Sequence, residues 1–167
     1  MKSSNWPKRL KEILIYLFLI FIILLSGSQG LGKEWTAEQN EVWATILRGW
    51  EDIKKGDVQS VMLGRHDKCL SLDSNNPTPF NNDQIRNTVE NWLAGDYKPT
   101  FIKVEPIEIL IVDNFAIIFY LFKWESDIGF KQKGRTMSTL IKQNNKWMLV
   151  GGMSASCDKP APCPYGW

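Results

Sequence analysis

Apolar positions recur with two periods along this chain, and the change from one to the other divides it. Val42, Trp43, Ile46, Leu47, Trp50 and Ile53 follow at three- and four-residue spacing, the mark of a helix with one apolar face. Thr36 is its expected N-cap. Gly49 lies inside it, where glycine costs about 1 kcal/mol against alanine; loose packing there is the expected reading, and room for a neighbour or a ligand is the alternative. Gly56-Asp57 ends this helix and starts a short second one with Val58, Val61, Met62 and Leu63 on its apolar side. A short strand is expected at Lys68–Leu72, then a turn-rich loop from Asp73 to Asn82. A third helix follows over Asp83–Ala94, with Asn82 as N-cap, Ile85, Val89, Trp92 and Leu93 inward, and Gly95 as its stop.

From Tyr97 onward the period is two, that of strands. Ile102 and Val104 alternate with Lys103 and Glu105. After Pro106 the phase moves by one, so that Ile107, Ile109 and Ile111 are the apolar set. A one-residue shift at a proline predicts a β-bulge and a bend. Asp113-Asn114 turns the chain into Phe115–Trp124, which is apolar on both faces and reads as a central, covered strand. Phe130–Gln143 and Lys146–Ser154 form the last hairpin around Asn144-Asn145, its second strand anchored by Trp147. Helix, helix, strand, helix and four long strands make an α+β fold. Its expected form is a cone-shaped, curved antiparallel β-sheet wrapped on three N-terminal helices, with a pocket between the layers.

The N-terminal segment changes the compartment. Lys2, Lys8, Arg9 and Lys11 precede Ile13–Leu25, an unbroken apolar run of 13 residues, shorter than the roughly 20 of a spanning helix. Small Ser28 and Gly30 follow it. This is the pattern of a secretory signal peptide cleaved after Gly30; the alternative is an uncleaved anchor that holds the domain outside the membrane. The expected parts are residues 1–30 as signal or anchor, 31–156 as the folded domain, and 157–167 as a Cys/Pro-rich tail. Without residues 1–30 the chain has 16 basic and 17 acidic side chains, which argues against a nucleic-acid footprint. Export favours disulfides. Cys157 and Cys163 enclose Asp-Lys-Pro-Ala-Pro and are expected to pair. The rival pairing joins Cys69 to one of them, and spacing alone does not choose. There is no CxxC pair, which argues against redox catalysis and a zinc site, and no cofactor is expected.

Trp50 followed by Gly56-Asp57, Arg135-Thr136 opening a late strand, and Lys142–Val150 (KQNNKWMLV) as the last hairpin occur in an order that resembles the nuclear transport factor 2-like superfamily. Within it, the likeness is to SnoaL-like and ketosteroid isomerase-like domains, over about Trp35–Ser156. The resemblance implies a conical α+β barrel with a pocket at its mouth and dimerisation through the outer sheet face. It implies a carboxylate base near Asp73, a tyrosine at the position that is Gly49 here, and a histidine at the place of Met153. Two of the three polar groups are thus replaced.

The candidate catalytic residues are Asp73, as a base in the pocket, and His66, the only histidine, as its assistant. The candidate pocket residues are Trp50, Tyr120, Trp124, Arg135 and Met153, with Arg135 placed to hold a carboxylate and the others to suit an aromatic or apolar ligand. Three functions follow: an exported binding or accessory module for a small apolar molecule; an acid–base enzyme using Asp73, His66 and Arg135; or an envelope assembly module. A homodimer is expected in each.

Overall fold

The computed structural model describes residues 33–74, 78–95 and 98–157. The expected signal segment and Cys163 lie outside them. The chain divides into Met1–Trp35 and Thr36–Trp167, and the second unit carries the fold. Its element order is α1 (Ala37–Lys55), α2 (Val58–Leu63), β1 (Arg65–Asp73), α3 (Asn82–Ala94), β2 (Pro99–Val112), β3 (Phe115–Ser126), β4 (Lys131–Gln143) and β5 (Lys146–Ser156).

Local chemistry sets the boundaries of these elements. Thr36 Oγ1 accepts the Gln39 N–H and Gln39 Oε1 accepts the Thr36 N–H, a capping box at the start of α1. Gln39 Nε2 also donates to the Ile109 carbonyl at 2.7 Å, tying α1 to β2. Gly56 closes α1 at φ 76°, a left-handed cap that glycine adopts without a Cβ penalty. Asp57 caps α2 through the Ser60 N–H at 3.0 Å. The cap of α3 is Asn81 rather than Asn82; Asn81 Oδ1 accepts the Gln84 N–H. Asn82 instead donates to the His66 and Asp67 carbonyls and ties α3 to β1.

The five strands form one curved, unclosed sheet in the order β1-β5-β4-β3-β2. It is not wholly antiparallel as expected, because β1 pairs with β5 in parallel, from Arg65↔Leu149 to Asp73↔Ser154. α3 and the strands after it carry the chain back before β5 arrives beside β1, so the two can run the same way. The expected bulge is present: register shifts between Pro106 and Glu108. Asn144 and Asn145 both have positive φ, 49° and 59°, the turn that matches strand twist in a two-residue hairpin.

Even-numbered β3 residues from Ala116 to Ser126 face the helices and are buried. Ile118 and, from β4, Leu140 are fully enclosed. Ring contacts join the layers: Trp43 meets Tyr120 edge-on with centroids at 6.0 Å, Trp50 stacks on Phe122 at 5.6 Å, and Trp92 meets Trp124 at 6.2 Å. The opposite face corrects the expectation of a strand covered on both sides. Phe115 and Phe119 remain 46 % and 42 % exposed there, beside Leu110, Val112 and Met153. Among the described residues, no helix is long and apolar enough to cross a membrane.

Candidate functional site

A cavity of about 930 Å³ opens between α1, α2, the start of β1, the middle of β3 and the start of β5. Its walls are largely apolar: Ile46, Trp50, Ile53, Val61, Trp147 and Leu149. Size and lining suit a small organic molecule. Gly49 lies on the α1 wall, and a Cβ built on it would have no atom within 4 Å. The glycine therefore borders open space.

Two polar side chains reach this interior from the sheet. Tyr120 is held among Ser138, Trp50 and Thr136, whose side chains favour its ionised form, but burial outweighs them and pushes the phenol above its usual range. It stays a neutral O–H donor at physiological pH. Arg65 begins β1 at the Gly64 end of α2. Its Nε donates to Asn82 Oδ1 at 3.3 Å, and one Nη2 donates to Cys69 Sγ at 3.3 Å and Ser71 Oγ at 2.7 Å. All these partners are neutral. Burial pushes the Cys69 thiol up, and Arg65 partly offsets it. The positive charge also reaches Tyr120. Trp147 supplies an orphan: among the described residues its Nε1 is the one buried side-chain polar atom without a hydrogen-bond partner. Leaving such a donor unpaired costs about 1–3 kcal/mol.

The expected site residues are divided by the fold. Trp50 and Tyr120 line the cavity. Trp124 lies on the same sheet face but packs with Trp92 and Phe130, its Nε1 donating to Gln132 Oε1 at 3.0 Å. Arg135 and Met153 do not belong to the pocket. Arg135 is exposed and pairs with Leu121 and Ala155, while Met153, half exposed, pairs with Met137. Directly paired residues share a face, and this one is opposite to Tyr120. Asp73 pairs with Ser154, which pairs with Thr136, which pairs with Tyr120. It therefore shares the inner face but sits three strands from Tyr120 and outside the cavity wall. His66 points away from Arg65 along β1. Its Nδ1 lies 2.7 Å from Asp67 Oδ1 and its Nε2 3.3 Å from Gln143 Nε2. Asp73, His66 and Arg135 are not brought together.

Arg65 and Trp147 were absent from the expected site. Arg65 stands in a run of charges, and nothing local marks its inward side. Trp147 reads as a core anchor. Their convergence depends on the parallel pairing of β1 with β5. Among the described residues no group of three or more His, Cys, Asp or Glu side chains could hold a metal ion. The rival disulfide is corrected as well: Cys69 is a free, buried thiol in β1.

No protein-family model matches the chain, and no curated protein is significantly similar to it. Solved structures do match. A nuclear transport factor 2-like protein from Cytophaga hutchinsonii has a TM-score of 0.63 at 10% identity, over 72% of this chain and 99% of that one. A ketosteroid isomerase-like protein from Erwinia carotovora atroseptica has a TM-score of 0.57 at 13% identity, over 75% and 100%. A conserved protein from Planctomyces limnophilus has a TM-score of 0.60 at 19% identity, over 72% and 96%. At these identities the likeness concerns the fold.

Proposed function

We propose that this chain, whose fold is that of the nuclear transport factor 2-like superfamily, is an exported module that binds a small, largely apolar organic molecule. The observation that carries this reading is the 930 Å³ cavity, walled by Trp50, Trp147 and aliphatic side chains and left open at Gly49. A cavity of that kind excludes water from an aromatic or alkyl body and gains about 25 cal/mol for each Å² of apolar surface it covers. The acid–base alternative is weaker, because neither Asp73 nor His66 nor Arg135 lines the cavity.

The same reading includes export through residues 1–30, a Cys157–Cys163 pair closing the tail, and a homodimer. Leu110, Val112, Phe115, Phe119 and Met153 support the dimer as an apolar area on the sheet face away from the helices. Contiguous exposed apolar surface marks a contact site, and a second copy offers the same face to it.

Native mass spectrometry of the protein purified from the exported fraction, followed by denaturing extraction, tests this. We expect an apolar small molecule to be retained or taken up, and the Gly49→Leu variant to lose it while keeping its melting temperature. Equal uptake by Gly49→Leu would refute the site. The subunit count in the same spectrum decides the dimer.

A further inference from the structure

We propose that the cavity selects a monoanionic carboxylic acid with an apolar or aromatic body, its carboxylate held by Arg65. This rests on the reading of the cavity as a ligand site and names the chemical class that site takes.

A guanidinium has five N–H donors. In Arg65 one on Nε and those on Nη2 are directed at Asn82, Cys69 and Ser71. The two on Nη1 have no protein acceptor among the described residues. They are not sealed off either, since Trp147 Nε1 is the one buried polar side-chain atom there that lacks a partner. The cation is half-buried, lines the cavity and, among the described residues, has no carboxylate within ion-pair distance. A half-buried charge without a counter-ion is unusual, because desolvation is normally offset by pairing. A ligand carboxylate would accept from Nη1 and exchange with the weak thiol contact on Nη2, giving the two-point geometry that arginine offers planar oxyanions. Tyr120, a neutral O–H donor on the sheet wall of the same cavity, adds a donor to this interior.

The other charges on the wall narrow the class. Arg48 and Lys146 add positive charge, while Glu41 and Asp52 add negative. Glu41 is engaged with Lys142 at 3.3 Å. The excess is one positive charge, which balances a monoanion; a dianionic phosphate would meet the two wall carboxylates. The apolar wall then takes the body of the acid, and Trp50 and Trp147 favour a flat one.

The test compares 2-naphthylacetate with its neutral amide, 2-naphthylacetamide, against the purified protein, read by calorimetry and tryptophan fluorescence. The wild type is expected to bind the acid about tenfold more tightly, equivalent to ~1.4 kcal/mol. In Arg65→Gln the preference falls to within about twofold while the amide binds as before, as removal of one charge contact predicts. Arg65→Lys keeps the charge but loses the fork, and retains part of the preference. Equal wild-type affinity for acid and amide would overturn the proposal and leave the cavity reading standing. Binding of neither at about 1 mM, a Kd too weak for a built site, would overturn both. Should Arg65→Gln fail to bind the amide because it is misfolded, Arg65→Lys decides: an undiminished acid preference there overturns the role of the guanidinium.

Discussion

Gly134 offers the sharpest test of how the sheet supports the cavity. It lies on the inner face of β4, opposite Phe122. A Cβ at this position would stand 2.5 Å from the Phe122 ring and 2.5 Å from the Ala155 carbonyl. Carbon atoms pack at about 3.5–4.0 Å, so a methyl group there is about an ångström or more too close to the ring, and it is also well inside contact distance of the carbonyl oxygen. The Ala155 carbonyl belongs to the β4–β5 ladder and cannot yield without breaking it. The Phe122 ring can, but it is stacked on Trp50 in the cavity wall. Overpacking of this kind costs about 1–3 kcal/mol. The φ of Gly134 is not in the left-handed region, so alanine also gains about 0.4–1 kcal/mol from a stiffer unfolded chain. The net loss expected for Gly134→Ala is thus about 1–2 kcal/mol, a fall in melting temperature of roughly 4–8 °C for a domain of this size. Urea unfolding should show a lower midpoint with an unchanged slope. Because Phe122 and the new methyl compete for one space, Phe122→Leu should recover part of the loss, with a coupling of about 1 kcal/mol in the double-mutant cycle. Trp50 fluorescence should shift in the single variant. A neutral Gly134→Ala, or a cost that Phe122→Leu leaves unchanged, would refute the account of how Phe122 is placed.

Other consequences are open to simpler measurements. Asn81→Ala should cost about 1 kcal/mol in chemical denaturation through loss of the α3 cap, whereas Asn82→Ala should leave the cap intact and act through the lost ties to β1. Burial raises the Tyr120 pKa above the free phenol's, so its contribution to stability is complete below pH ~10, the unfolded value, and is lost as pH rises through the folded one. The stability of Tyr120→Phe should therefore decline less steeply on the alkaline side, as followed by circular dichroism. Titration of the purified protein under denaturing, non-reducing conditions should find one thiol, Cys69, with Cys157 and Cys163 paired; three thiols would refute the tail disulfide.

Much of the fold follows from short-range pattern. The α1 face, the Gly56-Asp57 junction, the Pro106 bulge and the Asn144-Asn145 turn are local: each depends on φ, on a cap or on alternation within a few residues. Errors of one residue, such as Asn82 for Asn81, arise where two adjacent residues can both cap and the neighbouring strand decides between them. The expectation that β3 is covered on both faces went wrong for a different reason. Apolar side chains on the outer face of a sheet look the same in sequence whether a layer of the same chain or another molecule meets them.

The site was less legible than the fold. Trp50 and Tyr120 could be placed because a helix face and a strand parity each fix a direction. Arg135 and Met153 were set in the pocket, yet the pairing of Arg135 with Leu121 and of Met153 with Met137 puts both on the far face. A single strand carries two opposite parities, and only register against its neighbours tells which one meets the helices. Arg65 became a cavity residue through the pairing of β1 with β5, across about eighty residues of intervening chain. The sequence by itself determined the elements, their order and the apolar character of both sheet faces, because these depend on local geometry and alternation. Tertiary structure alone decided which face encloses a cavity and that Arg65 stands beside it among neutral partners, because burial and pairing are properties of residues brought together from distant parts of the chain.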